Sequence, residues 1–87
     1  MNGSYSLRIS PDAEREILDL PRPDRVRVVR RIHGLAANPR PPGCKKLRNA
    51  EGYRVRQGRY RILYTVEDVV RVVVVYAVRD RKNAYRD

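Results

Sequence analysis

Hydrophobic and polar residues alternate at the start of the chain and again through much of its second half. In residues 4–10 the apolar positions share one face of an extended backbone, which predicts a short strand. Three further runs of this kind follow later in the chain, at residues 53–56, 59–66 and 69–78. The turns between them are short enough for hairpins, so residues 53–78 are predicted to form an antiparallel meander.

Two helices are predicted between the first strand and the meander. The first begins at Ser10 and Pro11, because serine can cap a helix and proline suits its first turn, and it ends at Pro21. The second begins at Pro23. It ends at Asn38, because a residue that precedes a proline is disfavoured in the helical region.

The order of these elements predicts the fold class. We expect an α+β fold in which two N-terminal helices pack on one face of a small, mainly antiparallel four-stranded sheet. The chain of 87 residues is short enough for one domain, and we assign residues 1–87 to it.

Strand alternation divides the side chains of the meander between two faces, provided that no bulge breaks the phase. One face is expected to lie under the helices, and in the last strand it takes Val72, Val74, Tyr76 and Val78. The other face is expected to be open and to gather four exposed arginines: Arg54, Arg56, Arg61 and Arg79.

The charge of the chain indicates which partners this face could bind. The chain carries 20 Lys and Arg against 10 acidic residues, a net charge of +10. Residues 25–66 hold twelve of the basic residues and one acid, Glu51. A field of this sign attracts nucleic acid, acidic proteins or anionic lipid, and arginine favours bidentate contacts with phosphate.

Other functional classes are disfavoured. Cys44 is the only cysteine and His33 the only histidine, so we expect neither a disulfide nor a metal site, and no cofactor is implied. The longest apolar stretch is broken by Arg71, well short of the ~20 residues of a membrane helix. A cytoplasmic location and no membrane partner are the expectation.

Two segments resemble the toxins of the RelE/ParE superfamily. Residues 52–64 resemble the second and third strands of these toxins, with a basic-x-basic pair, a glycine turn and a Tyr-Arg-hydrophobic-hydrophobic-Tyr run. Residues 78–86 resemble the terminal motif of the family, a basic residue, an arginine, a spacer and a tyrosine. The resemblance implies the toxin of a type II toxin–antitoxin system, with the compact helix-on-sheet fold described above.

The RelE branch, which the resemblance favours, comprises ribosome-dependent endoribonucleases that cleave mRNA without a metal, through attack by the RNA 2′-hydroxyl. Carried over by position, the resemblance makes Tyr85 the candidate base and gives Arg79 and Arg61 catalytic roles at the leaving group and the scissile phosphate. The remaining RNA- and phosphate-binding candidates are Arg54, Arg56 and Arg81. The family often has lysine in the basic pair and histidine at the position of Asp80, and this chain departs from it at both places.

The ParE branch shares the fold, inhibits DNA gyrase and is not known as a nuclease, so gyrase inhibition is the alternative. A third possibility is a non-toxic relative or a binding module that has kept the fold and lost the toxic activity. The resemblance also implies the partners: a cognate acidic antitoxin in a toxin–antitoxin hetero-oligomer, and the ribosome with its mRNA, or else gyrase.

Overall fold

The computed structural model describes residues 4–83, which form two helices and a five-stranded sheet. The helices are α1, Pro11–Leu18, and α2, Arg22–Ala37. The strands are β1, Ser6–Ile9; β2, Lys45–Lys46; β3, Tyr53–Gln57; β4, Tyr60–Glu67; and β5, Val72–Asp80. A 3₁₀ turn, Arg81–Asn83, follows β5.

The sheet has the order β1-β5-β4-β3-β2, with β1 parallel to β5 and the other pairs antiparallel. The predicted α+β class is confirmed. The sheet has five strands rather than four, because Lys45 and Lys46 of the predicted loop pair with Arg54 and Tyr53. Two residues have too little alternation to be recognised from sequence as a strand.

Both helices pack on the same face of the sheet, as the sequence predicts. Ala13 and Ile17 of α1 and Val28, Ile32 and Leu35 of α2 join one buried cluster with side chains from β3, β4 and β5. Ser10 caps α1, since its side-chain oxygen accepts the N–H of Ala13 at 3.1 Å. Within residues 4–83 neither helix is long and apolar enough to cross a membrane.

The hairpin turns differ from the predicted ones. The β3–β4 pairing closes on Gln57 and Tyr60, so Gly58 and Arg59 form the turn, and Gly58 adopts a positive φ of 61°. The next turn covers residues 68–71, where Val69 is 94% exposed, so the last strand begins at Val72 and not at residue 69. The apolar side chain of Val69 favoured a strand at this position, but Val69 lies in the turn and is exposed to solvent.

A register shift in the β4–β5 pair reverses part of the predicted side-chain alternation. Leu63 pairs with Ala77, but Tyr64 pairs with Val75, so Tyr76 is an extra residue in β5. Val73 and Val75 are therefore fully buried in the cluster with the helices, and the predicted inward positions of Val72 and Val74 are wrong. One extra residue moves every preceding side chain of the strand to the opposite face.

Candidate nucleic-acid interface

Three arginines lie side by side across the central strands, on the sheet face opposite the helices. Arg56 pairs with Arg61, and Arg61 pairs with Arg79. Directly opposite residues share a face, and their Cβ atoms lie about 4.5–5.5 Å apart. We call these three residues the arginine row. The extra residue of β5, Tyr76, precedes Ala77, so Arg79 stays on the face that strand alternation predicts for it.

Arg54 occupies a different environment from the one predicted. It shares the face of the arginine row, since it pairs with Leu63, which pairs with Ala77. Its side chain is only 8% exposed, so the prediction that it is exposed is wrong. Lys45 pairs with Arg54 and is exposed, so this lysine adds a charge to the face that the sequence did not predict.

The environment of Arg79 depends on α1. Strand β1 ends at Ile9, opposite Val75, so the rest of the β5 edge has no strand beside it among the described residues. Glu16 of α1 fills this position: one carboxylate oxygen accepts the Val78 N–H at 2.7 Å, and the other lies 3.5 Å from Nε of Arg79. Arg79 is therefore partly neutralised, and Glu16 is a residue of the site that strand alternation could not reveal.

The segment after β5 is organised by Asp80. Its carboxylate accepts the backbone N–H of Lys82 at 2.9 Å and pairs with Arg59 at 2.9 Å, and these contacts lower its pKa. Asp80 is thus ionised at neutral pH and has no proton to donate to a leaving group. Arg81 is exposed in the 3₁₀ turn, and its N–H donates to the carbonyl of Arg59 at 2.7 Å. Tyr85 lies outside the described residues.

Three tyrosines of the described region donate hydrogen bonds within the fold. Tyr60 donates to Asp24 at 3.0 Å, Tyr64 to the carbonyl of Pro39 at 2.7 Å and Tyr76 to the carbonyl of Glu51 at 3.0 Å. Burial, as the largest cause, raises the pKa of all three phenols, so each stays protonated at neutral pH.

The chemistry of the row suits an anionic ligand such as phosphate. Like charges directly opposite each other in a sheet are destabilising, whereas an anion over the row would make charge-assisted hydrogen bonds with it. Residues 4–83 contain no group of three or more His, Cys, Asp or Glu that could hold a metal.

Three arginines of α2 were not predicted as site residues. Arg27, Arg30 and Arg31 of this helix line a cleft on the other side of the sheet. Their spacing of three and four residues, continued at Gly34, is the signal that could have identified them, because it places side chains on one helix face.

A known protein family matches most of the chain. The family described as the ParE toxin of the type II toxin–antitoxin system, parDE, matches residues 7–85. No curated protein matches the chain significantly by sequence.

Solved structures of RelE toxins have the same fold. The toxin–antitoxin complex RelBE2 of Mycobacterium tuberculosis matches with 30% identity and a TM-score of 0.82, over 95% of this chain and 98% of that chain. The isolated Escherichia coli RelE toxin matches with 26% identity and a TM-score of 0.76, over 97% and 88% of the two chains. The archaeal RelE–RelB complex of Pyrococcus horikoshii, at 24% identity, a TM-score of 0.80 and coverage of 93% and 99%, shares the fold.

Proposed function

Because the chain belongs to the ParE toxin family, within the RelE/ParE superfamily of type II toxin–antitoxin systems, we propose that this toxin is a ribosome-dependent mRNA endonuclease. The observation that carries the proposal is the arginine row, Arg56, Arg61 and Arg79, aligned across three strands on the sheet face opposite the helices. Such an enzyme acts where mRNA is translated, in the cytoplasm.

The row suits cleavage of RNA without a metal. When the 2′-hydroxyl attacks the neighbouring phosphorus, negative charge develops on the phosphoryl oxygens, and fixed cations stabilise it. Arg61, at the centre of the row, and Arg56 would hold the scissile phosphate, while Arg79 would act beside the leaving 5′-oxygen. Arginine stays protonated, so these residues contribute charge and hydrogen bonds rather than proton transfer. Arg81 is exposed and extends the proposed RNA-binding surface, whereas the predicted binding residue Arg54 is buried beneath it.

A base must still accept the proton of the 2′-hydroxyl. The phenols of Tyr60, Tyr64 and Tyr76 are committed to hydrogen bonds within the fold and have raised pKa values. Tyr85 therefore keeps the role that the family resemblance assigns to it. A free tyrosine titrates near 10, so nearby arginines would have to lower its pKa.

The test is cleavage of mRNA on ribosomes stalled during translation, mapped by primer extension. We expect cuts at a fixed position within the codon, and Arg61→Gln should cleave about 10²-fold more slowly, the usual effect of removing one transition-state donor. Tyr85→Phe should abolish cleavage and leave the circular dichroism spectrum unchanged. Arg15→Gln is the control, because Arg15 is exposed on α1 and pairs with Asp12.

Intact transcripts with folded wild-type toxin would overturn the nuclease. Unchanged cutting by Tyr85→Phe would remove this tyrosine from the mechanism while leaving the nuclease in place.

Inhibition of DNA gyrase is the second candidate, and the match to the ParE family favours it. It predicts that the purified toxin blocks supercoiling by gyrase and leaves ribosome-bound mRNA intact. The same preparations of wild type and Arg61→Gln serve both assays, so the two functions are compared on equal protein. Normal supercoiling at saturating toxin would exclude this candidate.

The proposed partner is an antitoxin with an acidic segment that covers the arginine row. The M. tuberculosis relative was solved as a toxin–antitoxin complex, which supports a partner of this class. Isothermal titration against the product of the neighbouring gene should show tight binding in a hetero-oligomer. Absence of binding at micromolar concentration would contradict the proposal.

A further inference from the structure

A second group of arginines lies on the helix side of the sheet. A cleft of about 410 Å³ separates α2 from the end of β3. We call it the α2 cleft. Its polar lining comes from Arg27, Arg30 and Arg31 of the helix and from Gln57 of β3, and Gly34 lies at one side.

The charge of the α2 cleft is scarcely compensated. The residues that line it include no acid, and within residues 4–83 neither Arg30 nor Arg31 has an ion-pair partner. Arg27 pairs with Asp24 at the long distance of 3.8 Å. Like charges at a spacing of three or four residues destabilise a helix, so this arrangement favours a bound anion.

The α2 cleft connects with the arginine row around one end of the sheet. Gln57, in the cleft, directly follows Arg56, in the row, and neighbouring residues of a strand face opposite sides. Strand β2 pairs only with Tyr53 and Arg54, so no described strand covers the edge of β3 between the two surfaces. An extended chain could pass from one surface to the other over this edge.

We propose that the α2 cleft binds the phosphodiester backbone of single-stranded RNA, as a second contact for the strand whose cleavage site lies at the arginine row. Guanidinium groups donate paired hydrogen bonds to phosphate, and three of them on one helix face can follow successive phosphates. That the ligand is RNA rests on the proposed function, whereas the phosphate chemistry rests on the cleft alone. An acidic protein segment is the competing occupant and is an outcome of the test.

The first experiment measures fluorescence anisotropy of a labelled single-stranded 2′-O-methyl RNA, which lacks the attacking hydroxyl and cannot be cut by this chemistry. Arg27→Gln with Arg30→Gln should weaken binding and make the dependence of log K on log salt shallower by about 0.7 for each lost phosphate contact. Arg15→Gln with Arg22→Gln removes the same charge from exposed positions outside the cleft and should leave the slope near the wild-type value. Equal slopes for the two double variants would overturn the proposal.

The second experiment uses the open space beside Gly34, where an added Cβ meets no atom within 4 Å. Gly34→Glu introduces a carboxylate into the cleft, and Gly34→Gln introduces the same shape without charge. Both residues are better helix formers than glycine, so both variants should fold. We expect Gly34→Glu to bind the RNA at least tenfold more weakly than Gly34→Gln, and equal affinities would overturn the proposal.

Two controls identify the occupant and keep this test apart from that of the nuclease. DNA of the same sequence should lose the same affinity in Gly34→Glu, since the contacts are to phosphate. If Gly34→Glu instead weakens binding of the antitoxin and leaves RNA binding unchanged, the cleft belongs to a protein interface and the proposal is wrong. Because the RNA is not cleaved, failure of the mRNA cleavage assay would leave this result standing, and the reverse also holds.

Discussion

At the scale of single residues, three arginines on one face of the sheet lie in three different environments. Arg56 is exposed, Arg79 shares its charge with Glu16, and Arg54 is buried. Exposure makes Arg56 the most accessible contact for an incoming phosphate. Burial makes Arg54 the one whose replacement most endangers the fold, since a buried charged group must keep its partners.

Another arginine holds the opposite end of the sheet together. Arg40 donates two hydrogen bonds to Asp68, at 3.1 and 2.9 Å, and Tyr5 donates a third at 2.8 Å. The guanidinium of Arg40, and then the phenol of Tyr5, lower the pKa of Asp68 from 3.8 to about 2. These contacts join the loop after α2 to the β4–β5 turn.

This pKa predicts how stability depends on pH. A carboxyl with a lowered folded-state pKa stabilises the fold fully above its unfolded value of 3.8, and this contribution is lost as pH falls towards 2. Asp68→Asn should therefore be less stable than the wild type at neutral pH, with a difference that shrinks between about pH 4 and pH 2. Urea unfolding at several pH values measures it. A difference that stays constant over this range would contradict the assignment.

At the scale of elements, the short β1 is what brings α1 to the site. Because β1 stops opposite Val75, the helix that follows it lies along the remaining edge of β5. Glu16 then does two things: it accepts the N–H of Val78 and it faces Arg79. One carboxylate therefore both accepts a hydrogen bond at the edge of the sheet and reduces the positive charge of the arginine row.

Two substitutions separate these roles of Glu16. Glu16→Ala leaves the partly buried N–H of Val78 without its acceptor, and we expect a loss of about 1–3 kcal/mol in the free energy of unfolding. Glu16→Gln keeps an acceptor oxygen and removes the negative charge. It should retain most of the stability and bind RNA more tightly. Denaturant unfolding and RNA anisotropy measure the two effects. Equal stability losses in both variants would argue against a stabilising role for the hydrogen bond from the Val78 N–H to Glu16.

At the scale of the whole molecule, the chain has a net charge of +10, and six of its arginines lie around one end of the sheet. The arginine row covers one face of this end, and the α2 cleft lies on the other. A concentrated field of one sign accelerates the approach of an oppositely charged partner, and salt screens it.

This charge predicts the kinetics of antitoxin binding. The association rate constant should fall steeply as salt rises, while the dissociation rate constant changes much less, because charge acts mainly on the approach of the partners. Stopped-flow fluorescence at several salt concentrations measures both. The Arg15→Gln with Arg22→Gln double variant should lower the association rate less than Arg27→Gln with Arg30→Gln. An association rate that is independent of salt would contradict electrostatic steering.

Features that depend on local periodicity can be predicted from the amino-acid sequence. Both helices and most of the meander follow from the spacing of apolar residues and from prolines and glycines at their ends. The shared face of Arg56 and Arg61 also follows from strand alternation. Their direct pairing does not, because the predicted turn at Gln57 and Gly58 would have placed Arg56 opposite Arg59. The match of the chain to its toxin family was visible in the same segments.

Features that depend on residues distant in sequence became apparent only in the folded protein. The bulge at Tyr76 exchanged the faces of the valines in β5, and no local pattern marks an extra residue in an apolar run. Glu16 reaches Arg79 across 63 positions, and Gln57 closes a cleft whose other wall is α2. Pairing and packing between separate elements create these contacts, whereas periodicity reports only which side of its own element a residue occupies.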